Sequence, residues 1–163
     1  MKQYDIILHT GSNMGNRIAH LQQANALIGQ RIGIICRRSQ YYRTAAWGKT
    51  AQPDFVNQAL WVKTVHSPHQ VLEEINCVEE KLLRKRIEKW GQRTLDVDLV
   101  FYEQEIIQTK RLTVPHPLMQ HRNFVLVPVC EIAAEWQHPV FKKSVESLLE
   151  ESGDALKVVA WHF

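Results

Sequence analysis

The stretch Trp90-Gly91-Gln92-Arg93-Thr94-Leu95-Asp96-Val97-Asp98-Leu99, running on through Val100 to Phe101, carries the most information in the chain. Leu95 to Phe101 reads as a strongly apolar strand interrupted by two aspartates. Side chains two apart on a strand point to the same side, so Asp96 and Asp98 share one face while Leu95, Val97 and Leu99 pack on the other. Two neighbouring carboxylates on an apolar strand repel each other and lose hydration. A hard divalent cation offsets both penalties. Magnesium prefers carboxylate oxygen and keeps open positions for phosphate, and two ions about 3.5–4 Å apart can be bridged by such a pair. The plainer reading of the pair alone is two solvated aspartates leaning on Arg93 or a nearby lysine.

Cations flank the pair on both sides. Arg84, Lys85, Arg86, Lys89 and Arg93 lie upstream, and Arg111, His116, His121 and Arg122 lie downstream. That supply suits a metal–polyphosphate complex gripped by arginine forks. Taken alone, the run from Lys81 to Arg93 also fits a solvated helix end, with cations near the C-terminal dipole.

Outward from this segment, strands and helices mix without a strict βαβ alternation. Tyr4 to Leu8 reads as a short strand ended by Thr10-Gly11-Ser12-Asn13. A helix fits Arg17 to Ile28, with Gly29 as its C-cap. Ile32 to Ser39 and Phe55 to Thr64 read as strands; Phe55, Asn57, Ala59, Trp61 and Lys63 share one face of the latter. Ser67 as N-cap and Pro68 as first helical residue start a helix striped by Val71, Leu72, Ile75, Val78 and Leu82. Glu103-Gln104-Glu105 reads as a hairpin turn into Ile106 and Ile107. Helices follow over Phe124 to Ile132 and Ser144 to Glu151, with a last strand over Lys157 to Trp161. The pattern favours an α+β sandwich, a mainly antiparallel central sheet with helices on its faces.

The 163 residues suit a single domain, 1–163. Hydrophobic residues at 45% and charged residues at 23% make a globular balance with material for a core. The net charge of +3 is too mild to argue for nucleic acid or a membrane surface. No apolar run approaches the roughly 20 residues of a membrane span, and the N-terminus is too short and polar for a signal peptide. Cys36, Cys77 and Cys130 form no CxxC pair and read as buried or half-buried thiols in a reducing cytoplasm. His9, His20, His66, His69, His138 and His162 lack metal-ligand spacing and read as bystanders. Gly11-Ser12-Asn13-Met14-Gly15 matches neither the Walker nor the dinucleotide spacing, so a tight turn with an N-cap is the preferred reading. No serine, threonine or cysteine sits in a nucleophile motif.

Taken in order, the segments resemble the 6-hydroxymethyl-7,8-dihydropterin pyrophosphokinases of folate biosynthesis. The matching pieces are Gly11 to Gly15, Tyr42 with Thr44, Gln52-Pro53 with Phe55 and Asn57, and Arg84 with Arg86. They continue with Trp90-Gly91, Arg93 to Leu99, Arg111-Leu112-Thr113-Val114-Pro115-His116-Pro117, and Arg122 with Phe124 and Pro128. The WGxRxLDxDL stretch is the most specific of them. Leu83 precedes Arg84 where the family usually has glycine, and Gln92 stands where proline is usual.

The resemblance implies a ferredoxin-like, three-layer αβα sandwich. It implies transfer of the pyrophosphoryl unit of ATP to the pterin's hydroxymethyl oxygen, with AMP leaving. Asp96 and Asp98 would bind two magnesium ions. Thr44, Ala45, Trp47, Phe55, Asn57, Trp90 and Phe124 would form the pterin site, with Asn57 bonding the ring and Phe55 and Phe124 sandwiching it. Glu79, Arg84, Arg93, Arg111, Thr113, His116 and Arg122 would serve ATP. Arg84, Arg86 and Arg93 would join the aspartates in catalysis, and the loop from Arg84 to Trp90 would act as a lid. The implied protein is a monomer acting on two small molecules, with neither a nucleic-acid nor a membrane partner. The alternatives are a ferredoxin-like RNA-binding or regulatory module and a ligand-binding remnant of an enzyme. Against RNA, no RNP-type aromatic motif appears, and acids sit where phosphates would need cations.

Overall fold

The computed structural model describes residues 1–44, 53–82 and 95–161. Its elements are β1 (Tyr4–Ser12), α1 (Arg17–Arg31), β2 (Gly33–Arg38), β3 (Tyr42–Thr44), β4 (Phe55–Thr64), α2 (Pro68–Lys81) and β5 (Asp96–Tyr102). There follow β6 (Ile107–Gln108), β7 (Thr113–Val114), a 3-10 turn (Met119–His121), α3 (Asn123–Ala133), α4 (Val145–Glu151) and β8 (Val158–Ala160).

The main sheet runs β5-β1-β4-β3-β8, with β2 on the other half of β4's edge, and every described pairing in it is antiparallel. Each face has its own core. On one, Ile6, Leu8, Val56, Leu60, Val62, Leu95, Val97 and Leu99 pack against Leu21 and Ile28 of α1 and Val71, Ile75 and Val78 of α2. On the other, Ile7, Ala59, Val100 and Phe101 pack against Val125, Leu126, Val129 and Ile132 of α3 and Val145 and Leu148 of α4. The architecture is therefore the α+β, ferredoxin-like three-layer sandwich that the sequence suggested. Leu95, Val97 and Leu99 all face the α1/α2 core, which leaves Asp96 and Asp98 half-buried on the α3 side.

Local chemistry explains several boundaries. Asn16 accepts the Ala19 N–H at 3.1 Å to start α1. Ser67 and Gln70 form a reciprocal capping box behind Pro68 at the start of α2. Ser144 caps α4 by accepting the Ser147 N–H.

Four expectations need correction. β1 does not end before Thr10 but continues to Ser12, because β4 and β5 pair with it on both sides up to Gly11. Two-sided pairing outweighs the turn-like composition, and the positive-φ residue of the turn is Gly15. α1 runs past Gly29 to Arg31, so Gly29 is no cap; buried Ile32 ends the helix, its N–H bonded to the Ile28 carbonyl. A turn does follow β5, with the Glu105 N–H bonded to the Tyr102 carbonyl, but β6 pairs with β7 instead of returning along β5. Cys36 is exposed, while Cys77 and Cys130 are half-buried.

The outer edge of β5 is taken up by other groups. Glu79 of α2 accepts the Val97 N–H at 2.9 Å. The pairing of β1 and β5 slips between Ile7 and Leu8, making Val100 a bulge. The Val100 carbonyl accepts the His116 N–H at 3.0 Å.

Candidate active site

Residues directly opposite each other in an antiparallel ladder project on the same face. The registers therefore align Asp96, Gly11, Asn57 and Tyr42 in one row across β5, β1, β4 and β3. Asp98, His9 and Ala59 form the next row. Both rows lie on the α3 side. An acidic end at β5 thus grades into an amide, hydroxyl and aromatic end at β4 and β3.

At that second end, Asn57 is 2% exposed and donates from Nδ2 to Thr44 Oγ1 at 3.0 Å. Thr44 is the ladder partner of Phe55. Gly11 makes the space: a Cβ there would stand 2.6 Å from Asn57 Oδ1 and 3.8 Å from the Phe55 ring.

The N-terminus of α3 closes the site from above. Phe124 lies edge-on to His9, with ring centroids 5.8 Å apart, and the Arg122 guanidinium sits 5.8 Å from its ring centre. Asp154 reaches across to accept the Asn123 N–H at 2.8 Å, supplying an acid at the helix start in place of a local cap. Burial holds the Arg122 pKa below its ordinary value, with Asp98 and Asp154 opposing the shift.

His116 stands beside this cluster. Burial brings its pKa down to about 4, assisted by the Arg122 charge and opposed by Asp96. Its Nδ1 is buried with no hydrogen-bond partner among the described residues. His9, a bystander by its sequence spacing, is 3% exposed and sits in the floor opposite Asp98. Burial brings its pKa down to about 4 as well. Its one sequence signal is the strand period, which puts residue 9 on the face of Gly11.

The described residues bring together Asp96, Asp98, Asn57, Thr44, Phe55, Phe124, Arg122 and His116. Glu79 reaches the aspartate strand through its backbone at Val97. Arg111 instead lies 3.9 Å from Glu73 of α2, and Thr113 is the β7 partner of Gln108. Ala45, Trp47, Arg84, Arg86, Trp90 and Arg93, with the lid, lie outside the described residues.

For magnesium, the donor set fits in kind. Among the described residues no group of three His, Cys, Asp or Glu side chains forms a metal cage. What the chain offers is two carboxylates on one face, and magnesium is commonly held by one or two carboxylates completed by water and substrate phosphate.

The chain is similar to known proteins over most of its length. The model of the 7,8-dihydro-6-hydroxymethylpterin-pyrophosphokinase family matches residues 7–134. A Synechocystis 2-amino-4-hydroxy-6-hydroxymethyldihydropteridine pyrophosphokinase is 41% identical over 146 residues, covering 89% of this chain and 74% of the relative. The Aquifex aeolicus protein of the same name is 35% identical over 147 residues, covering 90% and 91%. The solved Plasmodium falciparum HPPK-DHPS has the same fold at 17% identity, with a TM-score of 0.73, covering 91% of this chain and 43% of the longer one. Matched over most of its length by the family model and by relatives this similar, the chain belongs to the 7,8-dihydro-6-hydroxymethylpterin-pyrophosphokinase family of enzymes.

Proposed function

We propose that the chain transfers the pyrophosphoryl group of ATP to the hydroxymethyl oxygen of 6-hydroxymethyl-7,8-dihydropterin, releasing AMP. The observation that carries this reading is the shared face of the sheet, with Asp96 and Asp98 on β5 at one end and Asn57, Phe55 and Thr44 on β4 and β3 at the other. A flat heterocycle stacked between Phe55 and Phe124 meets the Asn57 amide at its edge. Its hydroxymethyl arm then extends along the row towards the aspartates.

The acceptor oxygen bonds to the β-phosphorus, the bond from that phosphorus to the α-phosphate oxygen breaks so that AMP leaves with the electron pair, and the alcohol's proton passes to solvent water. Two magnesium ions held by Asp96 and Asp98 would supply charge neutralisation for the polyphosphate and acidify the alcohol. Arg122 stabilises phosphate charge from the α3 side. Neutral His116 offers a ring nitrogen to the nucleotide without adding a second full charge beside Arg122. Glu79 holds the aspartate strand in register. Arg111 and Thr113 reach ATP from the β7 segment, while Ala45, Trp47 and Trp90 complete the pterin pocket. Arg84, Arg86 and Arg93 act on the transferring group. Most of the rate enhancement comes from holding alcohol and phosphorus in line.

We read residues 1–163 as one domain working as a monomer in the cytoplasm; among the described residues no helix is long and apolar enough to cross a membrane. The deciding assay is AMP release from ATP that depends on added pterin alcohol. An RNA-binding module or a ligand-binding remnant would release none.

A further inference from the structure

Pro128 lies inside α3. A proline has no N–H, so the carbonyl four residues earlier loses its ordinary helical partner. That carbonyl belongs to Phe124, the residue at the mouth of the site. It is met by His9 Nε2 at 2.9 Å, from the adjacent sheet. A carbonyl can only accept, so Nε2 must carry the hydrogen, which fixes the neutral tautomer of the ring. The same imidazole packs edge-on against the Phe124 ring, with centroids 5.8 Å apart. Backbone and side chain of Phe124 are thus both held by one residue of β1.

The geometry points to His9 as a positioning residue: its Nε2–H replaces the amide that Pro128 withholds and thereby sets the Phe124 ring at the height that receives the pterin. This rests on the proposed role of Phe124 as a wall of the pterin pocket. His9 touches neither reactant in this account; it acts through Phe124.

Burial agrees with the assignment. His9 lies in the sheet floor with its pKa depressed to about 4, so the ring keeps one donor and one acceptor at neutral pH. The link exists because a helix-interior proline and a strand histidine are present together. Either alone would leave a buried polar group short of a partner, a costly state.

Four variants of the full chain test the link: His9→Ala, His9→Gln, Pro128→Ala and the double variant H9A/P128A. H9A is expected to raise the KM for the pterin alcohol on the order of tenfold, the scale of one unsatisfied buried carbonyl, while the KM for ATP moves less than about twofold. H9Q, which retains an N–H donor, should recover much of that loss. P128A returns an amide to Phe124, so the double variant should bind pterin better than the two single losses combined predict. Strict additivity, or H9Q no better than H9A, would overturn the proposal. Nitrogen-15 NMR of the unaltered protein provides a readout independent of activity: the Nε2–H tautomer is expected, and an Nδ1–H tautomer sinks the idea. Phe124→Ala separates the two claims. If it leaves the pterin KM unchanged, the wall itself is misassigned and the inference falls with it. If it raises that KM while the His9–Pro128 pair behaves additively, only the link fails.

Discussion

Gly11 and Asn57 face each other across β1 and β4 so closely that any side chain at position 11 would occupy the place of the Asn57 amide. The distance from an ideal Gly11 Cβ to Asn57 Oδ1 is 2.6 Å, and the obstructing atom is the end of a side chain. A methyl group is therefore accommodated by turning the amide, without moving the sheet. Turning the amide gives up the buried bond to Thr44 Oγ1, so Gly11→Ala should cost about 1–3 kcal/mol of stability and weaken pterin binding on the order of tenfold, the worth of one hydrogen bond made by a buried amide. ATP affinity should barely move. Calorimetric titration with each ligand checks this; equal losses for both would place Asn57 outside the pterin pocket.

Asp96 and Asp98 are half-buried on the α3 side of an edge strand whose other face is core. Changing either to asparagine keeps the volume and removes the charge. The folded state should survive, since the apolar residues Val97 and Leu99 that anchor the strand are untouched. Turnover should fall at least about a hundredfold, the scale on which a single group stabilising transition-state charge is lost. AMP release by D96N and D98N, with circular dichroism to confirm folding, is the measurement. Near-normal turnover in either variant rules out its carboxylate as a metal ligand.

The fold was legible where local chemistry decides it. Ser67-Pro68 announced α2 because the cap and the proline act within one turn of the helix. The alternation around Asp96 was legible because a strand's period is fixed by geometry. The errors share a different cause. Gly11-Ser12 looks like a turn until β4 and β5 pair with it from both sides, a tertiary effect with no local trace. Tyr42–Thr44 becomes a strand by pairing with β4 and with Val158–Ala160 near the other end of the chain. His9 has no ligand spacing in the sequence, and the partner it meets, the Phe124 carbonyl, lies 115 residues away.

Burial of His9 gives stability a defined pH dependence. In the folded chain its pKa is about 4, against an ordinary value near 6.5. Between these values the unfolded chain binds a proton that the folded chain refuses, so stability rises with pH across the window. The contribution is complete above about pH 6.5 and is lost as pH falls towards 4; for His9 it is on the order of 3 kcal/mol. His116, also near 4, acts over the same range with the same sign. Guanidinium denaturation at pH 7.5, 5.5 and 4.5 should therefore show a steeper decline for the unaltered chain than for His9→Gln, which cannot titrate. Parallel slopes would mean that His9 is protonated in the folded state.

Glu79 ties the site to the helix layer behind it. It is 6% exposed on α2, and its Oε2 accepts the N–H of Val97, the residue between the two aspartates. Among the described residues β5 is an edge strand, and no described strand pairs with that N–H. Truncation to alanine leaves the donor buried without this partner and removes the connection that fixes the strand's depth against α2. Glu79→Ala should cost about 1–3 kcal/mol of stability. Glu79→Gln should cost less, because its amide oxygen can still accept from Val97. Activity separates a scaffold from a ligand at this position. As a scaffold, E79A lowers kcat through misplaced aspartates, and E79Q restores it along with stability. If E79Q regains stability but not turnover, the negative charge itself is required, and Glu79 belongs with Asp96 and Asp98 in the chemistry. Thermal midpoints and single-turnover rates of the two variants, measured side by side, distinguish these outcomes.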